Sequence, residues 1–310
     1  MDAAAIQDLI RRSNAGDPAA MTEVGRRLLV GLEAPRAPDR GAALILAAAD
    51  LGWPDALALS AVVCATGIVA PPNWSVAVEQ LRRAAAAGHS GSKAQFAILS
   101  AADRLTDLTP PLPELISTAP RIEWRRALAT PAECEWLIAR ATGRLEQATV
   151  YNAAVGRLDA VQDRSNSLFE FNLAETDLIV LGVRLRIASV LKVAVDRLEP
   201  SNVLHYAVGQ YFGRHFDFLQ PHVPAWAEEL RTKGQRTATA LIYLNNEFEG
   251  GETDFPRLGQ RLRGAVGDAL LFANVNAWGQ PDVDTLHAGL PPTRGEKWLF
   301  SQFVRDRAQP

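Results

Sequence analysis

The sequence predicts an α+β chain in which a solenoid of helical repeats precedes a strand-rich sandwich or barrel with supporting helices. Three observations predict it: alanine-rich stretches broken by glycine at a fixed interval, a proline-rich interruption over 105–120, and apolar alternation after Pro200. At 310 residues the chain exceeds the usual size of a single core, so more than one domain is expected.

The repeats come first. Gly16, Gly52 and Gly88 stand 36 residues apart, and each closes an alanine-rich stretch with helical character. Glycine is the residue that tolerates the left-handed cap, and a second helix is expected shortly after each one. The unit is therefore a helix-turn-helix used about three times. Alanines at the contacts let neighbouring helices approach closely, and each pair exposes an apolar face that only the next pair can cover. The pattern over roughly residues 10 to 102 resembles the Sel-like class of tetratricopeptide-related repeats. His89, in the third turn, is expected to be structural.

Prolines 110, 111, 113 and 120 disfavour continued helix, and a linker is placed over 105–120. The domains expected are thus 1–104 and 121–310. Helix resumes at Thr130-Pro131-Ala132-Glu133, which reads as a capping box with proline at the first helical position. A longer helix is expected over 175–197, where Leu178, Ile179, Leu181, Leu185, Ala188, Val190 and Leu191 form an apolar stripe. Strands are expected over 203–208, 237–244, 268–272 and 297–304. Turns such as Glu249-Gly250-Gly251-Glu252 between short strands favour a sandwich or barrel over a parallel sheet.

Composition removes several functions. Apolar residues make up 48% and charged residues 22%, an ordinary globular balance with ample material for a core, so the whole chain should fold. A formal charge of -3 without a long basic run gives no nucleic-acid surface. The two cysteines, Cys64 and Cys134, fall in predicted helices of different domains, so buried thiols are expected rather than a disulfide. Residues 1–14 lack the pattern of a secretory signal, and no stretch reaches the roughly 18 apolar residues of a membrane span. A soluble cytoplasmic protein is the expectation.

Chemistry gathers in the strand-rich part. In His215-Phe216-Asp217, residues two apart on extended chain point the same way, so imidazole and carboxylate can converge. His287, 72 residues downstream in a predicted strand, supplies a third donor. Two histidines and a carboxylate on one face suit non-haem iron(II), leaving three positions open, although zinc tolerates the same set. Ten residues further, Lys297 enters an apolar run on a strand expected to pair beside that of His287. An ammonium there is suited to a carboxylate ligand, which would offset the cost of burying the charge.

The stretch from Leu204 to Arg305 strongly resembles the prolyl 4-hydroxylase group of 2-oxoglutarate oxygenases. The resemblance is carried by 204–217, Gln235-Arg236-Thr237 with the following strand, Glu249 to Pro256, Gly267 to Phe272, and His287-Ala288-Gly289-Leu290-Pro291 leading to Gly295-Glu296-Lys297-Trp298. A weaker likeness reaches back to 132–138 and Arg164-Ser165. Phe212 and the segment Asn274 to Trp278 depart from the family pattern, which places substrate choice in question more than cofactor binding.

The resemblance implies a double-stranded β-helix, or jelly roll, and a cofactor set of Fe(II), 2-oxoglutarate and O2, with ascorbate as a further ligand. It implies that His215, Asp217 and His287 hold iron, that Lys297 pairs with the distal carboxylate of 2-oxoglutarate, and that Tyr206 and Thr239 complete that pocket. Arg164, Trp226 and Trp278 are candidate substrate contacts, while His205 and His222 are expected to be no ligands. The implied reaction hydroxylates a prolyl residue of a peptide or protein and releases succinate and carbon dioxide. The helical repeats suit a protein partner, since such stacks present extended surfaces. Two alternatives stand beside it: hydroxylation of a free amino acid or other small molecule, and a non-catalytic repeat scaffold with a metal-binding domain. A metal-dependent hydrolase is disfavoured, because no motif places a glutamate or serine as base or nucleophile.

Overall fold

In the computed structural model, which describes residues 3–148, 150–152, 157–159 and 164–309, six helices come first. They are α1 (Ala3–Asn14), α2 (Pro18–Val30), α3 (Pro38–Asp50), α4 (Pro54–Thr66), α5 (Trp74–Ala86) and α6 (Ser90–Ala101). Gly16, Gly52 and Gly88 sit in the α1–α2, α3–α4 and α5–α6 turns with φ of 85°, 79° and 99°, so the predicted repeat is a helical hairpin used three times. Local chemistry starts the helices: Pro18, Pro38 and Pro54 occupy the first turn of α2, α3 and α4. There proline forfeits only a donor that would go unbonded anyway. His89 is the N-cap of α6, its Nδ1 accepting the backbone N–H of Ser92 at 3.0 Å, which is the structural part expected of it.

Small residues do set the helix contacts, and glycine as well as alanine is used. A Cβ on Gly25 would lie 2.7 Å from the carbonyl oxygen of Gly41, and one on Gly41 would lie 2.6 Å from that of Gly25. The α2–α3 crossing therefore excludes any side chain at either position. Buried Met21, Ala48, Ala49, Ala56, Leu57 and Ala84 form a core drawn from four successive helices.

Met1–Leu108 and Asn172–Gly182 form one compact unit, and Thr109–Phe171 and Val183–Pro310 a second. The second unit opens with β1 (Pro113–Thr118), paired antiparallel with β2 (Arg121–Arg125). The 105–120 linker is thereby corrected: proline is tolerated at the first residue of an edge strand, which is where Pro113 stands. Then follow α7 (Pro131–Ala141), β3 (Glu146–Gln147), β4 (Val150–Asn152), β5 (Arg157–Asp159), β6 (Ser167–Phe171) and α8 (Leu178–Leu191). The helix expected over 175–197 is shorter, because Asp177 caps its start and Lys192 takes a left-handed φ of 55° just past its end.

The remaining elements are β7 (Ser201–Tyr206), β8 (Phe212–His215), α9 (Ala227–Lys233), β9 (Arg236–Tyr243), β10 (Glu249–Gly250), β11 (Thr253–Phe255), β12 (Gln260–Leu262), β13 (Ala269–Ala273), β14 (His287–Gly289), β15 (Pro292–Arg294) and β16 (Lys297–Arg305). A larger sheet runs β1-β2-β13-β9-β16-β7-β6-β3, and a smaller one β12-β11-β14-β8. From β7 onward the chain alternates between them: β7, β9, β13 and β16 in the larger, β8, β11 and β14 in the smaller. That alternation is the double-stranded β-helix.

Period-two side chains fill the space between the sheets, with Leu204 and Tyr206, Leu241 and Tyr243, and Leu270 and Phe272 meeting Phe255. The capping box at Thr130 forms as read, and Glu133 does more than cap. Its Oε1 also pairs at 2.7 Å with Arg186 of α8, both side chains wholly buried. Removing one partner of such a pair costs about 3–5 kcal/mol.

Candidate active site

The smaller sheet brings the histidines together. β8 and β14 pair antiparallel with His215 and His287 as Cα partners, so two residues far apart in sequence share one rung, their rings 4.2 Å apart. Asp217 does not lie on the strand, since β8 ends at His215; the chain turns away and still delivers a buried carboxylate. Its Oδ1 is 3.5 Å from Nε2 of His215 and its Oδ2 is 3.5 Å from Nε2 of His287. The three donor atoms lie within 4.8 Å of one another, the only such group among the described residues.

Local bonds aim these donors. Nδ1 of His215 is 2.8 Å from the Gly213 carbonyl and Nδ1 of His287 is 2.9 Å from that of Thr285. A carbonyl only accepts, so each Nδ1 carries the proton and each Nε2 presents a lone pair to the centre. Burial and the neighbouring His215 push His287 down to about 4, against the pull of Asp217, so its imidazole is neutral at pH 7. For Asp217, burial raises the pKa, but His287, His215 and the Thr239 hydroxyl outweigh it and hold the carboxyl well below its ordinary range. Two imidazoles and one carboxylate are a donor set for a divalent ion such as Fe(II).

Lys297 lies on the other sheet. Its strand β16 pairs with β7 and β9, not with β14, which corrects the pairing expected beside His287. Tyr206 is its Cα partner across β7, and the ammonium nitrogen sits 4.9 Å from the Tyr206 ring and 5.8 Å from that of Tyr243. Lys297 is wholly buried and its Nζ has no hydrogen-bond partner among the described residues. Burial pushes it down to about 7. Two glycines make room: a Cβ on Gly251 would crowd Phe248 at 2.9 Å and the lysine stem at 3.3 Å, and one on Gly289 would meet the Tyr206 hydroxyl at 3.2 Å. Tyr206 thus touches the strand headed by His287 on one side and Lys297 on the other. Burial pushes its phenol up to about 12.

The other candidates divide. The hydroxyl of Thr239 on β9 donates to Oδ2 of Asp217 at 2.6 Å, so the structure sets it against the carboxylate rather than beside Lys297. Arg164 is half-buried, its guanidinium 4.2 Å over the Phe212 ring, which stacks in turn on His215 at 3.5 Å. Trp226 is half-buried in the turn Pro224–Trp226, and Trp278, 83% exposed, caps no core. His205 packs tilted against Trp298, with ring centroids 4.3 Å apart, and His222 is exposed in a turn, so neither joins the cluster. Asn274, one hydrogen bond behind Thr239, was visible in the sequence only as part of a departing segment.

Comparison with known proteins agrees with this geometry. Residues 201–305 match the 2OG-Fe(II) oxygenase superfamily, from the first residue of β7 to the last of β16. The chain is 32% identical over 210 residues to prolyl 4-hydroxylase 1 of Arabidopsis thaliana, covering 63% of this chain and 72% of that protein. It spans only 35% of the length of the rat prolyl 4-hydroxylase subunit alpha-1, which it also matches. Among solved structures, a viral collagen prolyl hydroxylase from Paramecium Bursaria Chlorella virus-1 covers 59% of this chain and 94% of its own at 25% identity and a TM-score of 0.46. A Sel1 repeat protein from Oxalobacter formigenes covers 30% of this chain and 70% of its own at 26% identity and a TM-score of 0.28. The superfamily match takes in every strand that bears a donor or Lys297, and the Arabidopsis relative is matched over most of its length; the chain belongs to the prolyl 4-hydroxylase family of 2OG-Fe(II) oxygenases.

Proposed function

We propose that the chain hydroxylates a prolyl residue in a peptide or protein, consuming 2-oxoglutarate and O2 and releasing succinate and carbon dioxide. The observation that carries this reading is the buried Lys297 amine without a hydrogen-bond partner among the described residues, in the same fold as a three-donor group that could hold a metal. A metal-binding scaffold has no use for a cation held in such deficit, whereas a dicarboxylate that also reaches the metal satisfies it. In this reading His215, Asp217 and His287 hold Fe(II), Lys297 pairs with the far carboxylate of 2-oxoglutarate, and Tyr206 walls the pocket. Bound iron and cosubstrate supply the oxidant for an unactivated C–H bond. The chain's own residues fix the geometry and keep water out.

The prolyl preference is supported by the relatives, whose names specify proline. Arg164, stacked over Phe212 beside His215, suits a contact with the substrate backbone, and Trp226 and Trp278 complete the proposed substrate set. In this reading Thr109–Phe171 and Val183–Pro310 form the catalytic unit, and the helical repeats recruit a protein. A cavity of about 530 Å³ in the helical unit, lined by apolar residues such as Ile6, Leu9 and Leu44 and by Arg27, Glu33 and Arg40, supports that role. No helix among the described residues is long and apolar enough to cross a membrane. A cytoplasmic setting suits the free thiols of Cys64 and Cys134.

The test is incubation with Fe(II), 2-oxoglutarate, ascorbate and proline-bearing peptides, read by mass spectrometry for one added oxygen, with His215→Ala as control. Peptides are expected to gain oxygen and free proline is not. Modification of free proline alone would favour the small-molecule alternative, and metal binding without succinate release from any substrate would favour the scaffold.

A further inference from the structure

Just past β13, Asn274 is wholly buried. Both its backbone groups are engaged: its N–H donates to the Thr237 carbonyl at 2.8 Å, and its carbonyl accepts the Asp282 N–H at 3.0 Å. Held there, its side-chain amide donates from Nδ2 to Oγ1 of Thr239 at 2.9 Å, and that hydroxyl donates to Oδ2 of Asp217 at 2.6 Å.

The direction of this chain follows from proton counting. A hydroxyl has one hydrogen. If the amide were reversed, its oxygen would compete for that hydrogen, and Asp217 would face a hydroxyl lone pair at 2.6 Å. With Nδ2 as donor, the Thr239 hydrogen has Asp217 as its destination. The other end of the amide, Oδ1, has no hydrogen-bond partner among the described residues, so this buried group stays with part of its polar capacity unmet. An apolar side chain of equal size would avoid that deficit, which indicates a task for the donor.

We infer that Asn274 is a positioning residue for Asp217: acting through Thr239, it fixes Oδ2 as a hydrogen-bond acceptor and presents the carboxylate to the metal through Oδ1. The inference rests on the reading of His215, Asp217 and His287 as an iron site and assigns to an otherwise unexplained segment the part that sets carboxylate geometry.

Co(II) serves as the probe, titrated into the full-length chain and followed by its visible ligand-field bands, with circular dichroism as the folding control. Asn274→Leu is expected to weaken Co(II) binding by on the order of 10-fold, the usual effect of losing an outer partner of a ligand, and to shift the bands. Thr239→Val should do the same, and Thr239→Ser, which keeps the hydroxyl, should restore most of the affinity. In the Thr239→Val background, Asn274→Leu should cost nothing more, because its only route to the metal is already cut. Should Asn274→Leu fail to fold, Asn274→Ala replaces it in both backgrounds. Wild-type affinity and bands in the Asn274 variant, or an equal loss with and without Thr239, would overturn the inference alone. A wild-type chain that takes up no Co(II) would overturn the metal-site reading and this inference with it.

Discussion

Where a cation is to be held, every donor is already secured by the protein: two imidazoles through Nδ1 to backbone carbonyls, and Asp217 by the Thr239 hydroxyl. At the proposed anion end, Lys297 Nζ has no hydrogen-bond partner among the described residues and lies among Tyr206, Tyr243 and the Phe248 side of the Gly251 turn, with the charge of Glu252 acting on it only through space. The contrast has a physical cause. The imidazoles find carbonyls two residues away and the carboxylate finds a hydroxyl on β9, whereas an internal carboxylate hydrogen-bonded to Lys297 would occupy the place of the proposed ligand. On the proposed reading, the metal donors are organised before binding, and the lysine is organised by binding. The folded protein without ligand carries its electrostatic cost at one end only.

Mutating the two ends should separate them. His215→Ala is expected to lower metal affinity by more than about 100-fold, since loss of an outer partner alone costs about 10–100-fold, and to abolish turnover. Calorimetric titration with Mn(II) and the succinate assay check it; near-normal metal binding would break the assignment of the cationic end. Lys297→Met should leave Mn(II) binding intact and remove most 2-oxoglutarate affinity, by about 3–5 kcal/mol for a buried ion pair that loses one partner. Its sign on stability is opposite. Without ligand, Lys297→Met should raise stability by about 1–3 kcal/mol in urea unfolding, because an unsatisfied buried group gives way to an apolar one.

The same lysine sets a pH dependence. Its ligand-free pKa, pushed down to about 7 by burial, means the ammonium form is present below that value and is lost above it. A carboxylate needs the charged form, so 2-oxoglutarate affinity should fall as pH rises above about 7, by at most about tenfold per unit. In Lys297→Met that slope should vanish. A flat profile in the wild type would mean that the amine is not the anchor.

How much of this was legible depended on how local the information was. The helical hairpins could be read because glycine caps and first-turn prolines act within a few residues, and the Thr130 capping box was complete in its own sequence. Strand positions followed from alternation. Their pairing did not: the β16 period is the same whether it neighbours β14 or β7, so the sheet holding Lys297 was misassigned. β1 was hidden by its prolines because its evidence is a partner strand, not its own composition. Arg186 gave no sign of burial, since its partner Glu133 lies 53 residues away. Of the site, the donors and Lys297 came from motif order, whereas the bond from Thr239 to Asp217 was not foreseen and Asn274 was seen only as a departure. Hydrogen-bond partners across strands are set by register, which one strand alone does not encode.

The smallest expected effect probes the contact between the two ends. Gly289 shares β14 with His287, and a Cβ there would come 3.2 Å from the Tyr206 hydroxyl, close enough to require a shift of a few tenths of an ångström but no more. Its φ is not in the left-handed region, so alanine meets no backbone penalty and the displacement falls on Tyr206. Tyr206 walls the lysine end and supplies nothing to the metal. Gly289→Ala should thus weaken 2-oxoglutarate by a few-fold, about 1 kcal/mol for a modest overpacking, while Mn(II) affinity stays at the wild-type value. Parallel titrations with the metal alone and with 2-oxoglutarate in the presence of the metal separate the two. If both affinities fell together, the ends would be mechanically coupled through β14, and the independence inferred from their opposite preparation would be lost.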